Sequence, residues 1–241
     1  MRIREISDHL VQLMALKFFN CYLVREPGGL TLVDTLNAGS GSAILEAAVP
    51  FGSIRRIIIT HAHFDHVGSL DELAENLPGV PVMISAREAR LVAGDLALDP
   101  REPHTDLKGP GGLGKFPRKN ARPDGFLADG SYVGSLRIIA TPGHTPGHIS
   151  LLDVRDGTLL SGDAYKTQGG VSTSAVIDPL FPIPGLATWN QEFAYRSALH
   201  LRGFAAKRLA PGHGPVVESP LQEMDTALRD AEKSLRAYRA A

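Results

Sequence analysis

The chain has 241 residues, 43% of them hydrophobic and 21% charged, enough to bury a sizeable core as one large domain or two small ones. Its 25 Lys plus Arg against 26 Asp plus Glu give a formal net charge of -1, so no field of one sign is available to draw in a polyanion, and nucleic acid is not an expected partner. A single cysteine, Cys21, excludes an intrachain disulfide and fits a reducing compartment; we expect a cytoplasmic protein and a small buried Cys21.

The first apolar stretch, LVQLMALKFFNCYLV, contains Lys17 and Asn20 and lacks a small-residue cleavage site. It reads as folded structure, not a signal peptide, and no run reaches the ~18 apolar residues of a membrane span. CYLVREPGGLTLVDT predicts two strands around a Pro-Gly-Gly turn. GSAILEAAVPF has helical spacing, IRRIIITH is a β-branched strand, and SLDELAENL predicts a helix capped by Ser69 with acids in its first turn. VPVMIS predicts a strand and AREARLVAG a helix. SLRIIAT, HISLLDV and GTLLSGDA predict strands, TWNQEFAYRSALHLRGF a helix, and AKRLAPGHG a last strand with its loop.

The closing helix, 220–240, carries Leu221, Met224, Leu228, Ala231, Leu235 and Tyr238 on one face. Such a stripe packs on the chain's own core, with a homodimer seam as the second reading. Strands and helices alternate throughout, so the fold class is α/β (α+β), and we expect one domain over 1–241. Residues 95–133 and 166–187 are rich in Gly, Pro and polar residues and predict lid loops. The basic run Lys108–Arg122, with Asp124 beside it, reads as a solvated loop.

The chemistry concentrates in IIITHAHFDHVG. His61 and His63 are two apart where a strand ends, so both imidazoles can reach one ion. Asp65 and His66 follow as the chain turns, in position to face a second ion. Imidazole and carboxylate suit zinc, iron, manganese or cobalt, and the absence of cysteine here excludes soft thiolate chemistry. Three further elements share the form. TPGHTPGH supplies His144 and His148, SGDA supplies Asp163, and APGHG supplies His213, each after an apolar run. Six of the nine histidines fall in these motifs, which argues against chance clustering.

With its downstream His, Asp and His, the HxHxDH motif resembles that of the metallo-β-lactamase-fold hydrolases, over nearly the whole chain. The resemblance implies a four-layer αβ/βα sandwich. It implies that His61, His63 and His144 bind one metal, that Asp65, His66 and His213 bind another, and that Asp163 bridges the two. The pattern is similar to the glyoxalase II, lactonase and ribonuclease Z branch. True β-lactamases usually differ at the position of His66, and flavodiiron proteins usually have an acid at that of His63. His148 is expected to orient a ligand rather than bind metal. Tyr165 stands two residues after Asp163, where some related lactonases place a tyrosine one residue later, so both a packing role and a catalytic one are open. His104 is expected on the surface, and His9 and His200 carry no role.

Two divalent ions, zinc first and iron or manganese as alternatives, would sit ~3.5–4 Å apart with a hydroxide between them. The expected reaction is attack by that hydroxide on an ester, thioester or lactone carbonyl of a small molecule. Asp163 would fix the metal spacing, and Asp65 would pass a proton to the leaving group. Two alternatives are a mononuclear-iron oxidoreductase of the sulfur dioxygenase kind and a phosphodiesterase or ribonuclease on the same ligands. The latter would want a basic surface. Only 28 residues follow His213, which fits one helix and not the helical domain of glyoxalase II.

Overall fold

The computed structural model describes residues 1–240, without the side chains of 238–240; of the closing stripe, the Tyr238 side chain thus lies outside the described residues. The chain forms two compact units. One holds Met1–Leu96 and Phe116–Ala128, the other Ala97–Lys115 and the chain from Asp129 onward.

The first unit is a seven-stranded sheet in sequential order. Strands β1 (Arg2–Ser7), β2 (Leu10–Ala15), β3 (Phe19–Glu26) and β4 (Gly29–Val33) form an antiparallel meander. The expected Pro-Gly-Gly turn joins β3 to β4: Glu26 pairs with Gly29, so Pro27 and Gly28 make a two-residue loop. The apolar stretch near the start becomes β2 and β3, both largely buried. From β4 onward the strands run parallel, with helices as crossovers. Helix α1 (Gly41–Ala48) leads to β5 (Ile54–Ile58). Helices α2 (Phe64–Val67) and α3 (Leu70–Asn76) lead to β6 (Val82–Ser85). Helix α4 (Ala86–Val92) leads by a long segment to β7 (Gly125–Leu127).

Two local expectations are corrected. Ser69 precedes α3, but its side chain makes no capping bond. Its hydroxyl instead donates to Asn37 O (2.7 Å) and accepts from Ser40 N (2.8 Å), tying α3 to the start of α1. Strand β5 ends at Ile58, so His61 and His63 lie beyond the strand; His63 is extended and opens α2, a single turn that carries Asp65 and His66.

The second unit is a six-stranded sheet ordered β15-β14-β11-β10-β9-β8. Strands β8 (Tyr132–Val133), β9 (Leu136–Ala140), β10 (Ile149–Asp153) and β11 (Thr158–Gly162) are antiparallel neighbours. The ribbon β12 (Tyr165–Lys166) and β13 (Ser172–Thr173), then α5 (Ile183–Ala187) and α6 (Gln191–Arg202), precede β14 (Arg208–Pro211), which is parallel to β11. Strand β15 (Val217–Glu218) and α7 (Leu221–Ala240) close the chain. Asn190 caps α6 by accepting from Phe193 N (3.0 Å). The apolar stripe of α7 is used within this unit: Met224, Leu228, Ala231 and Leu235 are buried, and Met224 and Leu228 pack with Leu201 and Leu209. Among the described residues, no helix is long and apolar enough to cross a membrane.

Candidate metal centre

In the first unit the motif is held by groups the motif does not contain. His61, His63, Asp65 and His66 are all buried. The His61 ring lies 4.9 Å from that of His63 and 3.9 Å from that of His66, centroid to centroid. Ligand atoms of His61 and His63, of His61 and His66, and of Asp65 and His66 each lie within 4.8 Å of one another.

Asp34, at the end of β4, organises this cluster. It is buried and has φ +63, a left-handed conformation uncommon outside glycine and associated with functional sites. Its Oδ1 accepts from Thr60 N (2.8 Å), and its Oδ2 accepts from Thr60 Oγ1 (2.8 Å) and from His66 Nδ1 (2.7 Å). A carboxylate only accepts, so His66 carries its proton on Nδ1. The Thr60 hydroxyl, having given its proton to Asp34, accepts from His61 Nδ1 at 3.1 Å. Both imidazoles are thereby set with the Nε2 lone pair as the ligating edge. Glu88, on α4 and fully buried, accepts from Ala62 N (2.7 Å), the amide between His61 and His63. Phe116 packs on the His63 ring at 4.8 Å.

The second unit supplies His144, Asp163 and His213, each at the exit of a strand and each buried. Gly143 has φ +143, and a Cβ there would lie 2.1 Å from Ala194 N, so only glycine lets the His144 loop sit against the first turn of α6. Thr188 Oγ1 donates to Pro184 O (2.7 Å) and therefore accepts from His144 Nδ1 (3.0 Å). The Nε2 lone pair of His144 then faces Asp163 Oδ2 at 3.3 Å, and His213 Nε2 approaches the same oxygen at 2.9 Å. A lone pair facing a carboxylate is repulsive without a cation between them, and donors around one tetrahedral ion with 2.0–2.1 Å bonds stand about 3.3 Å apart. The residues present fit a divalent metal.

His148, fully buried, does not point its ring nitrogens at this cluster. Its Nε2 accepts from the backbone N of Asp163 (3.0 Å), and its Nδ1 donates to Thr141 Oγ1 (2.8 Å). It orients Asp163 from behind, the role expected of it. Tyr165 is fully buried in the core beside Ala198 and Leu201, and its hydroxyl donates to Ala198 O (2.9 Å). Burial raises its pKa well above that of a free phenol, and the group is committed to packing. His104 is exposed, as expected. The 166–187 segment holds β13 and α5 and is anchored by a partly buried ion pair between Lys166 and Asp178. From this segment Phe181 packs on the His213 ring at 5.4 Å, and Thr167 Oγ1 donates to Pro215 O (2.5 Å) with His213 O 3.3 Å away.

Asp34, Thr60, Glu88 and Thr188 were not foreseen. LTLVDT does carry a signal for Asp34: an acid ending an apolar strand, the form shared by the other site residues. Thr60, Glu88 and Thr188 carry none.

The model of the metallo-beta-lactamase superfamily matches residues 18–213. The chain belongs to that superfamily. It is 45% identical over 215 residues to an uncharacterised protein of Bacillus subtilis, YobT, covering 89% of this chain and 91% of that one. It is 33% identical to the probable metallo-hydrolase YflN of the same organism, covering 83% and 82%. Among solved structures, a Cronobacter sakazakii metallo-beta-lactamase with a HARLDQ motif superposes with a TM-score of 0.71 at 22% identity, covering 100% of this chain and 96% of that chain. The protein TTHA1623 in a di-iron-bound form superposes with a TM-score of 0.61 at 26% identity, covering 87% and 94%. The metallo-β-lactamase fold, an α/β sandwich, is the class the sequence motifs imply, and superfamily members use divalent metals.

Proposed function

We propose that this chain is a dinuclear metal-dependent hydrolase of ester, thioester or lactone carbonyls in a small-molecule substrate. In this reading His61, His63 and His144 would hold one divalent ion and Asp65, His66 and His213 the other, with Asp163 contributing to both and zinc as the metal. The observation that carries it is the contact of His144 Nε2 with Asp163 Oδ2 at 3.3 Å while the Nδ1 proton of His144 is committed to Thr188. Family membership supports the rest of the ligand set.

Bound ions would supply a hydroxide nucleophile at neutral pH and positive charge for the oxyanion that develops on the carbonyl. The chain's own groups do the positioning. Asp34 and Thr60 hold the ring nitrogens of His66 and His61, Thr188 holds that of His144, and His148 holds the Asp163 backbone. Asp65, buried beside His66 with Oδ2 3.9 Å from its Nε2, would take up the proton of the attacking hydroxide and pass it to the departing oxygen or sulfur, a role that requires its carboxylate to shift from the ion it would otherwise hold. A net charge of -1 offers no field to draw in a polyanion, which supports a small-molecule substrate, and the single buried cysteine supports a cytoplasmic location.

Elemental analysis of the purified protein, with the same sample assayed on a lactone, a thioester, a phosphodiester and a persulfide, tests this reading. About two zinc ions per chain with lactone or thioester turnover are expected. One iron with oxygen uptake on the persulfide, or phosphodiester cleavage alone, would replace it. Asp65→Asn should lose turnover; a variant with full metal content and full turnover removes Asp65 as the proton donor.

A further inference from the structure

We propose that the groove between α4 and the Arg118–Phe126 segment of the first unit binds a small anion bearing a flat apolar ring, an aryl phosphate or an aromatic carboxylate. The groove has a volume of about 520 Å³, large enough for a ligand of this class. Four cations line it: Arg90, Arg118, Lys119 and Arg122. No carboxylate does, in a chain whose overall balance is -1.

The neighbouring acids are already engaged. Asp95 pairs with Arg90 (2.7 Å), Asp71 accepts from Asn120 N and Ala121 N, and Asp124 accepts from Val82 N. Lys119 is fixed by donating to Gly68 O (2.6 Å), with Asp71 3.9 Å away. Arg118 and Arg122 are exposed and have no ion pair or hydrogen bond among the described residues. Two guanidinium forks beside a concave wall suit a phosphate or carboxylate head.

The wall itself is apolar. Ala89 and Val92 of α4 form one side, and Pro123 and Phe126 the other. Phe126 stands on β7, the edge strand of its sheet, and is 67% exposed. A lone exposed phenylalanine needs no explanation. One placed in the same groove as Arg118 and Arg122 offers a stacking face next to an anion hole. The same walls reach the metal-binding motif: Lys119 holds the end of α2, and α4 also carries Glu88, which accepts from Ala62 N.

Calorimetric titration of the metal-loaded chain at low salt with phenyl phosphate, benzoate and inorganic phosphate tests the site. Phenyl phosphate or benzoate should bind, and more tightly than inorganic phosphate; the better of the two identifies the head group. Binding should weaken at high salt. Arg118→Ala/Arg122→Ala, both exposed positions, should weaken the aryl anion at least tenfold with an unchanged thermal melt. Phe126→Ala should weaken the aryl anions and leave inorganic phosphate as before. Undiminished binding of phenyl phosphate to the double arginine variant, which would place the anion elsewhere, overturns the proposal. So does equal affinity for the three probes with no effect of Phe126→Ala.

Discussion

Asp34→Asn is the sharpest probe of how the site is built. The substitution preserves shape and replaces one carboxylate oxygen by an NH2 group. In the native arrangement Oδ2 accepts from both Thr60 Oγ1 and His66 Nδ1. An amide nitrogen in that place donates, so His66 Nδ1 must become an acceptor and its proton must move to Nε2, the edge that should ligate metal. If the amide flips, its nitrogen instead meets Thr60 N, a donor facing a donor. One orientation costs His66 its ligating tautomer, and the other sets donor against donor. Losing the outer partner of a metal-bound imidazole typically weakens metal affinity 10–100-fold, roughly 1.4–2.7 kcal/mol. The loss should fall on the ion that His66 helps to hold, taking the metal content after dialysis against a weak chelator from about two ions per chain to about one. Elemental analysis after graded chelator challenge gives the affinity, and a thermal melt shows that the sheet remains intact. If Asp34→Asn keeps both ions with native affinity, the tautomer argument is wrong.

Further outcomes follow from the same contacts. Tyr165→Phe should keep turnover within about threefold, because the hydroxyl faces Ala198 O and not the ligands, and should cost about 1–3 kcal/mol of stability by leaving that carbonyl without its donor; a hundredfold loss of kcat would restore a catalytic tyrosine. Gly143→Ala, forcing a Cβ to 2.1 Å from Ala194 N at φ +143, should destabilise by more than about 2 kcal/mol or prevent folding, measured by denaturant titration. Cys21, whose pKa is raised by burial and then by Asp34, should resist a thiol reagent until the chain unfolds; rapid labelling of the native protein contradicts that burial. The Arg202 hydrogen bond lowers the Asp225 pKa, so the α6–α7 pair stabilises the fold above pH 3.8 and fades as pH falls further. The stability gap between the native chain and Asp225→Asn should therefore shrink in acid.

The parts legible in the sequence are those where a local pattern and a tertiary role coincide. Strands β3 to β6 could be read because apolar runs were broken by Pro, Gly and capping residues, and the α7 stripe because its spacing survives packing. The seven ligand candidates stood out because imidazole and carboxylate side chains after apolar runs have few structural uses. The hairpin partner β1 was not legible: its burial pattern is exposed along most of its length and carries no alternation. Ser69 misled because a hydroxyl before a helix can cap it or bond elsewhere, and here the chain from residue 37 to 40 competes successfully for it. Glu88 was hidden because an acid in the first turn of a helix reads as a dipole partner. Its carboxylate in fact accepts from Ala62 N, the amide between His61 and His63 and 26 residues earlier in the chain.

A motif of histidines alone leaves each ring free to choose which nitrogen is protonated, and the wrong choice abolishes ligation. This chain removes the choice with neutral hydroxyls at His61 and His144 and with a carboxylate at His66. The difference matters electrostatically. A carboxylate behind His66 makes that imidazole a stronger donor than a hydroxyl does, so the ion held by His66 should be retained best while Asp34 is intact and become the weaker one when it is lost. His148 extends the same logic to the backbone: by accepting the Asp163 N–H it fixes the residue whose Oδ2 meets both His144 and His213. Replacing His148 by Gln, whose Oε1 can also accept from that amide, should retain more metal than replacement by Leu, which cannot. If Gln and Leu retain the same amount, the amide contact is not what positions Asp163.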